Sequence, residues 1–282
     1  TLLVPYLLWS AIALAFTYLL ENYELSRELV KSSGLMQIDE NRFLLHDYKW
    51  FEWLGRWIVV PVPYQLWFIR VLIVYSVSYP VIKWLVLHKY AKRIFFSIAV
   101  FLWLTTAGFY FIEGEGLLFF SLGVWLQKTN YNISIAKKWM NTKVWLIIFL
   151  ITSIVKTWLA FNGYAIMKNG LYPLLAILHK LIIFSGLIVA WYGFDFIVRF
   201  CMSQKWFVAI SSFSFMIYAL HVPFITYAIN GMFSLLHYCN NYRVITFVLL
   251  PLIIIAFSIL LGFLLRKYLP RLYSLLTGGR GF

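Results

Sequence analysis

Apolar residues run along this chain in blocks of about 20, the length a helix needs to cross a bilayer, with short polar stretches between them. Eight blocks stand out, at 1–20, 64–87, 94–112, 114–127, 144–161, 171–198, 206–232 and 244–266. They predict an all-α, polytopic integral membrane protein, about eight transmembrane helices in one bundle over residues 1–276, with a flexible tail at 277–282. The longest stretch outside the blocks is Glu21–Pro63. Its first part, ENYELSRELVKSSGLMQIDENR, alternates charge and reads as an exposed helix or loop. Its second part, FLLHDYKWFEWLGRW, is amphipathic and is expected to lie on the membrane surface or to cap a cavity. Pro61 and Pro63 close it. No internal repeat and no Gly/Ser linker divides the chain.

Charge then orients the blocks. The net charge of +14 invites a nucleic-acid reading, but the basic residues sit in short loops between apolar blocks, which is the positive-inside pattern. With residue 1 inside, the inner loops hold thirteen Lys and Arg, from Lys89 to Arg280, and no acid. The outer stretches hold seven basic residues against nine acidic. Both ends are therefore expected on the cytoplasmic side, and no nucleic-acid partner is. Aromatics make up 21% of the chain, enough for interfacial belts and for a ring-lined cavity. Cys201 and Cys239 fall on opposite sides of this drawing, so neither a disulfide nor a metal site is expected.

Chemistry enters with the polar residues inside the blocks. An unpaired polar group in hydrocarbon costs several kcal/mol, about 2–7, so each one demands a partner. Ser211–Pro223, SSFSFMIYALHVP, places Ser214, Tyr218 and His221 on one helix face beside a proline that kinks the helix. This row either hydrogen-bonds a neighbouring helix or serves a substrate, with His221 as a general base. In PYQLWFIRVLIVY, Arg70 either snorkels outward or clamps an anion or carbonyl, helped by Gln65 and Trp67 just before it. Arg70 and His221 are expected to face one interior cavity. Glu113 and Glu115 flank a glycine at the outer surface, and Glu115 opens a short Gly-bearing helix whose N-terminus favours negative charge. His179 and Lys180 are neighbours and project about 100° apart, so only one can face a cavity. Lys156 is expected to snorkel, and Asp195 to pair with Arg199 at i, i+4. There is no GxSxG elbow, P-loop, HExxH or CxxC.

The segments TLLVPYLLWS, PYQLWFIRVLIVY, EGLLFFSLGVWL and SFSFMIYALHVPF, in that order across nearly the whole chain, resemble the membrane-bound acyltransferase-3 family. That family includes bacterial O-acetyltransferases of surface polysaccharides. The resemblance implies a ten-helix core, of which eight spans are drawn here. It also implies two helices and a cytoplasmic R-x-x-R motif upstream of Thr1, with a first-helix histidine there as the principal base. On that expectation this chain alone is an inactive fragment. The implied reaction moves an acetyl group from cytoplasmic acetyl-CoA to a hydroxyl of a cell-surface or exported polysaccharide, or of a lipid-linked glycan. The setting is the bacterial inner membrane, with acetyl-CoA as substrate and no bound cofactor. His221 would support the base, while Arg70, Trp67, Gln65, Glu115, His179 and Tyr218 would hold substrate. A transporter or flippase for a glycan would need the same aromatic cavity without acyl chemistry.

The charge bias makes a direct prediction. A single-Cys variant at Lys138 in intact cells is expected to stay unlabelled by an impermeant thiol reagent and to label after permeabilisation; labelling from outside would invert the topology.

Overall fold

Hydrocarbon offers a backbone nothing to bond to, so a chain this apolar satisfies itself as helix. The computed structural model describes residues 2–39, 41–109, 111–164 and 168–280. Thr1, which opens the first expected span, and residues 281–282 of the expected tail lie outside these. The protein is all-α as its blocks predict, with one two-stranded ribbon among the described residues.

The chain forms two compact units. Thr1–Ile73 and Lys205–Phe282 make the first, Val74–Gln204 the second. The first opens with α1 (Leu3–Glu21), α2 (Glu24–Ser33), α3 (Trp50–Ile58) and most of α4 (Trp67–Val77). The second holds the end of α4, α5 (Tyr79–Leu87), α6 (Ala91–Leu104), the strands β1 (Gly108–Phe109) and β2 (Ile112–Glu113), α7 (Gly114–Lys128), α8 (Thr142–Asn162), α9 (Leu171–Gly193) and α10 (Asp195–Ser203). The chain returns to the first unit with α11 (Lys205–Ser211), α12 (Ser214–Leu236), α13 (Tyr242–Tyr268) and α14 (Pro270–Thr277).

Among the described residues α1, α8, α9, α12 and α13 are long and apolar enough to cross a membrane. The expected span 64–87 is instead a pair bent by 67°. Pro80 has no N–H for the Ser76 carbonyl and is accommodated in the first turn of α5, so the break falls at Ser78. The expected spans 94–112 and 114–127 are helices of 14 and 15 residues. That is roughly 21–23 Å against a hydrocarbon core of about 30 Å. The first stops at Leu104 because Thr106 takes a φ of +54° and the chain turns into the antiparallel ribbon, Gly108 facing Glu113. The block 171–198 ends at Gly193, and Asp195 opens α10, where the helix dipole favours it. No ion pair joins it to Arg199 among the described residues.

The stretch expected outside divides in two. Residues 22–49 fold over the end of α1, burying Val30, Met36, Leu45 and Tyr48 against Ala13, Leu14 and Tyr227. Glu21, which read as part of an exposed charged stretch, is fully buried. Its carboxylate accepts the N–H groups of Leu45 (2.8 Å) and His46 (3.2 Å) and the His46 ring Nδ1 (2.6 Å). The His46 ring stacks on Tyr18 at 4.4 Å. Beyond it, α3 runs antiparallel along α1. Trp53 lies beside Tyr18, and Ile58 ends at Tyr6. Those contacts span twelve residues of α1, about 18 Å of its length. So α3 does not lie flat over the end of α1: it descends alongside it, with Trp50, Phe51, Leu54, Trp57 and Ile58 exposed on one helical face.

Arg42 holds the cap to the start of α3. Its Nε donates to Asp39 (2.7 Å) and its Nη1 to Glu52 (2.9 Å). The guanidinium holds the Asp39 carboxyl below its ordinary 3.8. The Lys49 backbone N–H and then Arg42 hold Glu52 below its ordinary 4.5. Because both folded values are depressed, the clasp is complete above those ordinary values and is lost as pH falls through the lower folded ones. Hydrogen exchange over residues 41–52 is expected to be flat from pH 6 to pH 8, after correction for intrinsic rates, and to rise only below about pH 4. Arg42→Ala should give the low-pH pattern at neutral pH.

Candidate functional site

Within the first unit, the polar residues converge where two helices are broken. Pro223 sits inside α12 and supplies no N–H to the Ala219 carbonyl four residues back. That orphaned carbonyl accepts instead from Gln65 Nε2 at 3.1 Å, and the same nitrogen donates to the Tyr218 carbonyl, also at 3.1 Å. Tyr218 returns the bond, its hydroxyl donating to the Gln65 carbonyl at 2.5 Å. Gln65 is buried, and the Pro61–Leu66 stretch that carries it is unwound except for a single 3-10 turn.

The other side of this unwound stretch is the end of α3, whose last carbonyls lack helical partners. Helix α1 supplies them. Ser10 Oγ donates to the Trp57 carbonyl (2.7 Å) and Tyr6 OH to that of Ile58 (2.7 Å). Arg70 donates from Nη1 to the Val59 carbonyl, a cation at the negative end of α3. Trp9 Nε1 does the same for the Leu276 carbonyl at the end of α14 (2.9 Å). Between α3 and α4 the chain is thus open from Val59 to Leu66, and side chains of α1 and α4 bond the carbonyls at the end of α3. Irregular backbone at such depth is tolerated only where protein buries it or a cavity meets it.

His221 lies one turn beyond Tyr218 on α12. Its Nδ1 faces the carbonyls of Tyr218 (2.9 Å) and Ile217 (3.1 Å), which only accept, so Nδ1 carries the proton. In the neutral ring Nε2 is then the basic nitrogen. A cavity of about 480 Å³ opens at the N-terminal end of the same helix, lined by Leu2, Phe68, Ser212, Ser214, Tyr218 and Arg280. Arg280, in the expected tail, lies 5.5 Å over the Phe215 ring, and Arg266 donates to Ser212 Oγ (3.2 Å). Of the residues singled out in the sequence, Gln65, Tyr218 and His221 come together here. Arg70 meets the end of α3, and neither it nor His221 lines this cavity. Trp67 opens α4, edge-on to Phe68. Tyr6 and Ser10 escaped sequence reasoning, although their i, i+4 spacing in α1 was a usable signal.

Glu115 and His179 belong to the second unit. Glu115 pairs with Lys180 (2.6 Å), and His179 Nδ1 accepts from Lys156 Nζ (3.1 Å) instead of leaving that lysine to snorkel. Among the described residues, no group of three or more His, Cys, Asp or Glu is placed to hold a metal ion.

The Pro223–Gln65 arrangement predicts a thermodynamic coupling. Gln65→Leu leaves the Ala219 carbonyl buried and unmet, a loss of about 1–3 kcal/mol. Pro223→Ala restores the helical N–H, so Gln65→Leu should cost measurably less in that background. A double-mutant cycle on thermal unfolding in one detergent reads the difference; equal costs in both backgrounds would dissolve the link.

No curated protein and no solved structure matches the chain. Among protein families, the acyltransferase domain matches residues 1–272, a span that takes in Gln65, the break at Pro223 and His221. The chain belongs to the acyltransferase-3 family.

Proposed function

We propose that this acyltransferase is an O-acetyltransferase: it moves an acetyl group from cytoplasmic acetyl-CoA to a hydroxyl of a cell-surface or exported polysaccharide at the bacterial inner membrane. The observation that carries this reading is His221, whose Nδ1 is tied to its own helix and whose Nε2 is the basic nitrogen. Acyl transfer breaks the thioester C–S bond and forms a C–O ester. The acceptor hydroxyl loses its proton to a base, and the departing CoA thiolate gains one. Nε2 can receive that proton or hold the hydroxyl that loses it, in support of a principal base.

The cavity at the N-terminal end of α12 suits the donor. Ser212, Ser214 and Tyr218 offer hydroxyls to a pantetheine-like amide arm, and Arg280 and Arg266 stand at the same end for an anionic one. The inner loops add further positive charge where acetyl-CoA would arrive.

The test is transfer of labelled acetyl from acetyl-CoA to membrane glycan, normalised to the amount of protein inserted. His221→Ala and His221→Gln are expected to lower turnover by about 10²–10⁴, the usual range for a group handling a proton. Arg70→Lys keeps the charge and loses the planar fork, and should fall as well. Wild-type rates in both His221→Ala and Arg70→Lys would leave these residues as helix-packing groups and sink the assignment.

A further inference from the structure

The second unit contains a polar cavity that the His221 site does not use. It measures about 330 Å³, near the lower end of small-molecule pockets at about 300–1,000 Å³. Trp103, Thr106, Glu113, Glu115, His179 and Lys180 line it.

Its walls are fixed by close packing and by strain. A Cβ on Gly114 would stand 2.4 Å from the backbone of Leu102, so the start of α7 rests directly on α6. The Tyr75 hydroxyl clamps the Glu113 backbone, donating to its carbonyl and accepting its N–H, both at 3.1 Å. Thr106 holds a φ of +54° at the rim, a conformation β-branched residues avoid.

The charges inside are unequally exposed. The Lys180 side chain is 6% exposed and the Glu115 side chain 39%, at 2.6 Å from each other. Lys180 also lies 5.6 Å over the Trp103 ring. The ammonium is therefore walled in behind the carboxylate, and the cavity meets the carboxylate. Lys180 takes only Oε1, which leaves Oε2 of Glu115 as an acceptor. Trp103 Nε1 is a buried donor with no partner. His179 accepts at Nδ1 from Lys156, so its Nε2 carries a hydrogen and donates.

Each class of occupant can be judged against this lining. An anion such as phosphate meets two carboxylates against one lysine. A cation meets Lys180 directly behind Glu115. An uncharged molecule rich in hydroxyls gives protons to Glu115 and accepts them from His179, with the Trp103 ring at hand for its apolar face. We propose that this cavity is a subsite for one uncharged sugar unit. The inference rests on the reading of the chain as a glycan-modifying acyltransferase, for which this would be an acceptor subsite.

The experiment is equilibrium dialysis of the detergent-solubilised protein against labelled glucose and N-acetylglucosamine, with glucuronate and glucosamine as charged controls. Neutral sugars are expected to bind saturably and the charged pair more weakly. Glu115→Gln should weaken neutral-sugar binding about tenfold or more, the scale of one charge-assisted hydrogen bond. Because that change strands Lys180, the double variant Glu115→Gln with Lys180→Met removes both charges and should show the same loss. Absence of saturable sugar binding, unchanged binding in both variants, or preference for either charged sugar overturns the proposal. Sugar binding that persists in a protein with no acetyl transfer supports the subsite and counts against the transferase reading. Transfer without sugar binding at this cavity does the reverse.

Discussion

One missing hydrogen governs the centre of the first unit. Pro223 cannot donate to the Ala219 carbonyl, and in hydrocarbon that carbonyl has no water to turn to. Gln65 fills the place, and from this follows the rest. Gln65 brings its amide to the middle of α12 from a single 3-10 turn in the otherwise unwound Pro61–Leu66 stretch, and Tyr218 holds the Gln65 carbonyl from the other side. The unwinding in turn orphans the last carbonyls of α3. Those go to Tyr6, Ser10 and Arg70. A single proline thus accounts for a set of polar residues on three helices that would otherwise be costly in a membrane.

This places Arg70 in a different light from the sequence reading. A planar cation aimed at a helix C-terminus is favoured by the dipole and by direct bonding. Such a contact fixes how far α3 descends along α1. Any effect of Arg70 on chemistry then passes through the position of the Val59–Leu66 stretch, which carries Gln65. On the proposed reading it acts as a positioning residue; the carbonyl it meets belongs to the backbone of Val59.

Much of the architecture was legible because apolar length is a strong signal: α1, α8, α9, α12 and α13 fall where the blocks put them. Depth was not legible. The pattern of Trp50, Phe51, Leu54, Trp57 and Ile58 reveals an amphipathic helix, but periodicity is the same for a helix on a membrane and for one descending beside α1. Glu21 failed for a related reason. Its neighbours alternate in charge, and nothing local shows that two backbone N–H groups and a histidine 24 and 25 residues away would enclose it. The breaks at Leu104 and Phe213 were not drawn, although Thr105 and Thr106 follow the first and Ser211, Ser212 and Ser214 surround the second: Ser and Thr are tolerated inside apolar spans, so they do not by themselves mark an end. At the candidate site, sequence found Gln65, Tyr218 and His221 individually. Their grouping depended on which carbonyl the proline had freed.

The same carbonyl geometry bears on what His221 can do. The Tyr218 oxygen accepts from both His221 Nδ1 and Gln65 Nε2, at 2.9 and 3.1 Å. That fixes the ring on its χ angles and makes rotation to present Nδ1 costly, because a turned ring would leave the carbonyl with one partner fewer. On the proposed reading, proton traffic is confined to Nε2. It also means the contact survives protonation, since Nδ1 is a donor in the neutral ring and in the imidazolium alike. A histidine that gained a proton and lost its anchor would swing out of place in each cycle; this one keeps its anchor in either state. The arrangement suits a group that takes up a proton and returns it without moving.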